Sequence, residues 1–185
     1  MQNEIIIAGF GGQGVLFAGQ ILAYAAMESG KHVTWFPSYG PEMRGGTANC
    51  TVIISDEEIG APLVRNPTAI LAMNLPSLSK FEPLLKPGGT LVVNTTLVDR
   101  PVERDDIEVV AIPATGLAET LGGKRLANMV MLGALLAKLP VLLPEALKAA
   151  LENHLPERHR HLLDVNMEAL EEGQAQCLAI HMPVP

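Results

Sequence analysis

Apolar residues along this chain follow two periods, and the switches between them mark out the elements. Residues 5–8, Ile-Ile-Ile-Ala, form a short continuous apolar run, the pattern of a strand buried on both faces, and predict a first strand over 4–8. A glycine turn follows. Residues 14–29 then place Val15, Leu16, Phe17, Ile21, Leu22, Ala25 and Ala26 around most of a helical surface, which predicts a buried helix closed by Gly30 as a C-terminal cap. Residues 32–36 are rich in β-formers, so this first stretch predicts a right-handed βαβ unit.

Residues 37–46 hold two prolines and three glycines, which forbids a regular element there. Residues 48–55 predict a strand, Asp56-Glu57-Glu58 a solvated turn, and residues 59–64 a returning hairpin partner. Further strands are predicted at 68–73, 90–94 and 107–113, with a short helix at 77–85 ended by Lys86-Pro87-Gly88-Gly89. The last third is helical in pattern. Residues 126–139 are apolar on nearly every face, so they form either a central helix or an interface. Pro144 opens a helix at 145–155 with Leu147, Leu151 and Leu155 on one stripe. Residues 164–172 form another, closed by Gly173, before a terminal strand at 174–180 and a frayed end at 182–185. The alternation predicts an α/β fold: a mostly parallel sheet flanked by helices, Rossmann-like and three-layered, with a helical C-terminal third. A chain of 185 residues supports one core, hence a single domain over 1–185.

Composition sharpens this picture. Hydrophobic residues make up 48% and charged residues 18%, with a mean hydropathy of +0.25. That is apolar for a lone soluble protein. It fits a sheet buried on both faces, a surface meant for partner subunits, or both, and it predicts self-association of the isolated chain. A net charge of −7 excludes the basic patch that nucleic acid requires; Arg158-His159-Arg160-His161 is the densest cationic stretch and is short. The apolar run at 126–137 is too short to span a membrane, and Glu4 and the glycine turn interrupt any signal-peptide pattern, so a cytoplasmic location is expected. Cys50 and Cys177 have no cysteine neighbours and are expected to be buried small hydrophobes rather than cluster or zinc ligands.

Three constellations could carry chemistry. Gly9, Gly11 and Gly14, with Gly12 and Gln13 between them, match the spacing of a dinucleotide-binding turn. The acidic residue that would hold a ribose, about 20 residues on, falls at Trp35-Phe36-Pro37, where there is no carboxylate. The turn therefore offers backbone N–H groups to another anion, or uses its glycines for close packing. The loop Tyr39-Gly40-Pro41-Glu42-Met43-Arg44-Gly45-Gly46 is either a rigid connector or a surface shaped against a ligand or subunit, with Tyr39, Glu42 and Arg44 as contact residues. His154, His159 and His161 lack a metal-ligand spacing and are expected to be surface histidines. No catalytic set assembles from sequence neighbours, and no metal site is expected.

The stretch from Ile5 through the glycine turn to Val15, together with Phe36-Pro37-Ser38-Tyr39-Gly40-Pro41-Glu42-Met43-Arg44-Gly45-Gly46-Thr47-Ala48-Asn49-Cys50, closely resembles the gamma subunit of 2-oxoacid:ferredoxin oxidoreductases. The likeness continues through Ala72-Met73-Asn74, Pro87-Gly88-Gly89 and Asn166-Met167-Glu168-Ala169-Leu170-Glu171-Glu172-Gly173, and is greatest to the 2-oxoglutarate type. The resemblance implies a subunit inactive alone. Its assembly would convert a 2-oxoacid and coenzyme A to acyl-CoA, CO2 and reduced ferredoxin. It implies thiamine diphosphate and Mg2+ held by alpha and beta partners, and iron–sulfur clusters on beta or a ferredoxin-like delta subunit. No cofactor is expected on this chain alone. Gly11–Gln13 and Tyr39–Arg44 are the segments the resemblance nominates for a place near the coenzyme A path.

Overall fold

The computed structural model describes residues 1–39 and 46–180, without the side chains of Tyr39 and Ile180. Six strands form one sheet in the order β2-β3-β1-β4-β5-β6. They are β1 (Gln2–Phe10), β2 (His32–Tyr39), β3 (Thr47–Ser55), β4 (Ala69–Ala72), β5 (Thr90–Asn94) and β6 (Glu108–Ile112). β1, β4, β5 and β6 pair in parallel, whereas β3 runs antiparallel to both β1 and β2. The predicted βαβ unit is therefore split: β1 and β2 point the same way, but β3 lies between them.

Successive residues of each strand serve opposite faces, which is why the runs read as continuously apolar. Ile5, Ile7, Ile54, Leu71, Val92 and Ile112 meet the helices of one layer. That layer holds α1 (Val15–Glu28), α3 (Ala114–Thr120), α4 (Ala127–Lys138), α5 (Pro144–His154) and α6 (Leu163–Ile180). Ile6, Ala8, Ile70, Leu91 and Val93 face the opposite layer, where Leu78 and Phe81 of α2 (Leu75–Phe81) cover them. Every residue from Asn128 to Leu136 is buried, so α4 is a core helix within this chain.

Four expectations are corrected. β2 continues through Pro37 to Tyr39, because an edge strand tolerates a residue with no N–H to donate. Residues 59–64 form no hairpin strand: β3 is already paired on both edges, and Gly60 and Pro62 interrupt the run. α3 went unpredicted, since its seven residues are too few to show a period. Gly173 caps nothing, and 174–180 is no strand, for α6 runs unbroken through it. The glycine serves packing instead. A Cβ on Gly173 would strike the Val130 carbonyl of α4, and one on Gly133 would strike the Leu170 carbonyl of α6. The expected fraying at 182–185 lies outside the described residues.

Candidate functional site

The glycine turn lies at the carboxyl end of β1. There the chain leaves into α1 on one face of the sheet, while the neighbouring β4 leaves into α2 on the other. In open α/β sheets this divergence creates a crevice. Here amide side chains bridge it. Gln13 Oε1 accepts from the Phe10 N–H at 2.6 Å and from Asn74 Nδ2 at 3.1 Å, and Asn74 Oδ1 in turn caps α2 by accepting from the Ser77 N–H at 2.9 Å. The network continues along the same edge of the sheet. Fully buried Asn94 donates to Met73 O at 3.3 Å and to Thr115 Oγ1 at 2.8 Å, joining β4, β5 and α3.

These bonds sort the nominated residues. Gly9 is packed inside, where a Cβ would lie 2.6 Å from Gln13 Oε1 and 3.1 Å from Met73 Cβ. Gln13 turns its carbonyl inward. Gly11 donates its N–H to Gly46 O at 2.9 Å, tying the turn to the start of β3. Gly14, at φ 74°, is the N-cap of α1, and its carbonyl accepts from Asn128 Nδ2 of α4 at 3.0 Å. Gly12, unlike Gly9 and Gly14, faces open space, at φ 97° with no atom within 4 Å of where a Cβ would stand. Glu42, Arg44 and the Tyr39 side chain fall outside the described residues.

Around Gly12 the surface is hollow. An open cavity of about 580 Å³ is lined by Phe10, Leu16, Phe17 and Ala48 besides the turn itself. Two smaller ones of about 280 and 190 Å³ adjoin it, and both Gly12 and Arg125 border all three. Among the described residues, none of the three linings contains a carboxylate. The first turn of α1 carries no side-chain cap and no acidic residue, and the N–H groups of Val15, Leu16 and Phe17 find no acceptor among the described residues. Unpaired N–H groups at the positive end of a helix attract anions.

Among the described residues the three linings hold no thiol, and His159 is their one imidazole. Burial pushes the Cys50 thiol up to about 12, and the Cys177 thiol is also raised by burial. Among the described residues no three His, Cys, Asp or Glu side chains stand together to hold a metal ion. His154 is engaged elsewhere, its Nε2 2.6 Å from Glu28 Oε1 and its ring stacked on Tyr24 at 3.6 Å. Sequence reasoning missed Arg125, Asn94 and Asn128. Asn128 left a signal, being the one polar residue inside the apolar run at 126–137; Arg125 and Asn94 left none.

Residues 4–176 match the model of one family, pyruvate ferredoxin/flavodoxin oxidoreductase. The chain belongs to that family. It is 40% identical to the 2-oxoglutarate synthase subunit KorC of Methanothermobacter marburgensis over 185 residues, covering 94% of this chain and all of that protein. It is 39% identical to the ketoisovalerate oxidoreductase subunit VorA of the same organism, covering 92% of this chain. This chain spans only 35% of VorA's length.

Two solved structures carry the same fold. The gamma subunit of a keto/oxoacid ferredoxin oxidoreductase from Geobacter sulfurreducens superposes with a TM-score of 0.82 at 34% identity, covering 96% of this chain and 99% of that one. The 2-oxoglutarate:ferredoxin oxidoreductase from Magnetococcus marinus, solved with 2-oxoglutarate, coenzyme A and succinyl-CoA, superposes with a TM-score of 0.88 at 27% identity. There the match covers all of this chain and 32% of that one. The predicted α/β fold with its mostly parallel sheet and helical C-terminal region is thus shared with an oxidoreductase gamma subunit.

Proposed function

We propose that this chain is the gamma subunit of a cytoplasmic, thiamine-diphosphate-dependent 2-oxoglutarate:ferredoxin oxidoreductase. In this reading it supplies no reacting group. Alpha and beta partners hold thiamine diphosphate and Mg2+, iron–sulfur clusters sit on beta or delta, and ferredoxin is reached through the assembly. The observation that carries the reading is likeness to KorC along that protein's whole length, in a chain whose described residues bring no thiol or carboxylate to the cavities around Gly12.

Within that role, the face around Gly12 borders the coenzyme A path. Its chemistry suits such a ligand: free N–H groups for the phosphates, with no carboxylate among the described lining residues, and Phe10, Leu16 and Phe17 for an alkyl arm. Gly11 and Gln13 then fix the turn, through the Gly11 N–H on Gly46 O and the Gln13 carbonyl on the Phe10 N–H. Affinity purification of the tagged chain from its host, followed by mass spectrometry of the retained proteins, tests the assignment. Recovery of thiamine-dependent alpha and beta subunits supports it. Recovery of the chain alone, binding NAD or NADP, would replace it with a free-standing nucleotide protein.

A further inference from the structure

Arg125 belongs to no motif, yet it stands at the junction of the three cavities around Gly12. Its position follows from the chain on either side. α3 ends at Thr120, Gly122 and Gly123 turn the backbone at φ 117° and 159°, and a 3₁₀ turn at Lys124–Leu126 leads directly into α4. Residues three apart on such a turn share a face. Asn128, three residues beyond Arg125, is the one whose amide holds Gly14 O. The same face therefore presents Arg125 to the glycine turn.

The sequence carries 20 acidic residues against 13 lysines and arginines, and most cations among the described residues sit beside a carboxylate. Lys124, the immediate neighbour, pairs with Glu119 at 3.1 Å. Arg125 is exposed and makes no ion pair or hydrogen bond among the described residues. His159, on the 3₁₀ turn Glu157–Leu162, adds an imidazole to the 280 Å³ cavity, which Phe17, Leu126 and Leu162 line with apolar surface. A guanidinium with no partner among the described residues, over a hollow whose described lining bears no carboxylate, is suited to a phosphate ester, which its fork of N–H donors grips in two places.

We infer that Arg125 binds a phosphate group of the acyl carrier at the glycine turn, an inference that rests on the coenzyme A reading above. It is a binding residue and takes no part in bond making. The test uses the assembly reconstituted with its alpha and beta partners, with coenzyme A varied at saturating 2-oxoglutarate. Arg125→Ala is expected to raise the KM for coenzyme A on the order of tenfold to a hundredfold with kcat little changed. Arg125→Lys, which keeps the charge but not the fork, should recover part of the loss. A merely structural role would lower kcat or assembly and leave KM where it was.

Hydrogen exchange on the native assembly separates the two levels. Slower exchange at residues 12–17 on adding coenzyme A supports the underlying reading; unchanged exchange there overturns that reading whatever Arg125 does. Protection at 12–17 together with an unaltered KM in Arg125→Ala overturns the assignment of Arg125 alone.

Discussion

Gly173 of α6 rests directly on the carbonyl oxygen of Val130 in α4, and one helical turn away Gly133 of α4 rests on the carbonyl of Leu170. Two glycines, one on each helix, let the backbones approach closer than any side chain would permit. On helix propensity alone, Gly173→Ala should gain about 1 kcal/mol. The contact is with backbone, which cannot swing aside, so overpacking wins and the net loss should be about 2 kcal/mol or more. For a chain of this size that lowers Tm by roughly 4 °C or more in thermal unfolding. A Tm equal to or above that of the native chain would show that the helices separate easily, and that the pairing is weaker than its geometry implies.

The Gln13 amide is the second such joint. Truncation in Gln13→Ala leaves the Phe10 N–H and Asn74 Nδ2 without their acceptor. Unsatisfied polar groups of this kind cost about 1–3 kcal/mol. Urea unfolding should show a lower midpoint at unchanged slope, with faster exchange at residues 10–14. Equal stability would mean that water replaces the amide and that the turn holds itself.

Glu82 is the one buried acidic or basic side chain among the described residues. Only 2% exposed, it accepts from Arg100 Nη2 at 2.8 Å and from the backbone N–H groups of Glu103 and Arg104 at 2.6 and 3.2 Å. Arg104 adds bonds to the carbonyls of Glu82 and Leu85, so one carboxylate organises the whole approach to β6. Removing one partner of a buried pair typically costs about 3–5 kcal/mol. Glu82→Ala should fall in that range by chemical denaturation, whereas Arg100→Ala, whose guanidinium is partly solvated, should cost less. The reverse ranking would contradict this account of the loop.

Cys50 provides the pH-dependent test. Desolvation raises its thiol from 9.0 to about 12, against smaller lowering effects from the Trp35 indole and the Gly19 backbone. Burial thus favours the neutral form. The sign follows: the contribution to stability is complete below pH 9, and it is lost as pH rises toward 12. In the native chain Cys50 should resist alkylation at pH 8 and react only on unfolding. Rapid labelling of the folded protein would show that the Trp35–Gly19 cover opens.

Much of the fold was legible because its strands obey local rules. The run Ile5-Ile6-Ile7 is apolar at every position since both faces are covered, and β5 begins and ends where the pattern says. What escaped was non-local. Nothing near Thr47–Ser55 records that β3 enters the sheet reversed between β1 and β2, because that choice is made by edges brought together in space. Gly173 looked like a cap because a glycine after a helical pattern usually is one; only α4 reveals the close approach it serves. In the site, the glycine spacing announced the turn but not the division of labour within it. Whether a glycine faces outward, as Gly12 does, or packs inward, as Gly9 does, depends on Gln13, Met73 and Asn128, residues far from one another in the chain.

The claim at the centre of this account is that the chain performs no chemistry alone yet is required by its partners. Titrating it into purified alpha and beta subunits, while following ferredoxin reduction with 2-oxoglutarate and coenzyme A, measures this directly. The rate should rise from near zero and saturate at a fixed stoichiometry, with no turnover by the chain on its own. A full rate before any is added, or oxidation of the oxoacid by this chain unaided, would contradict the claim.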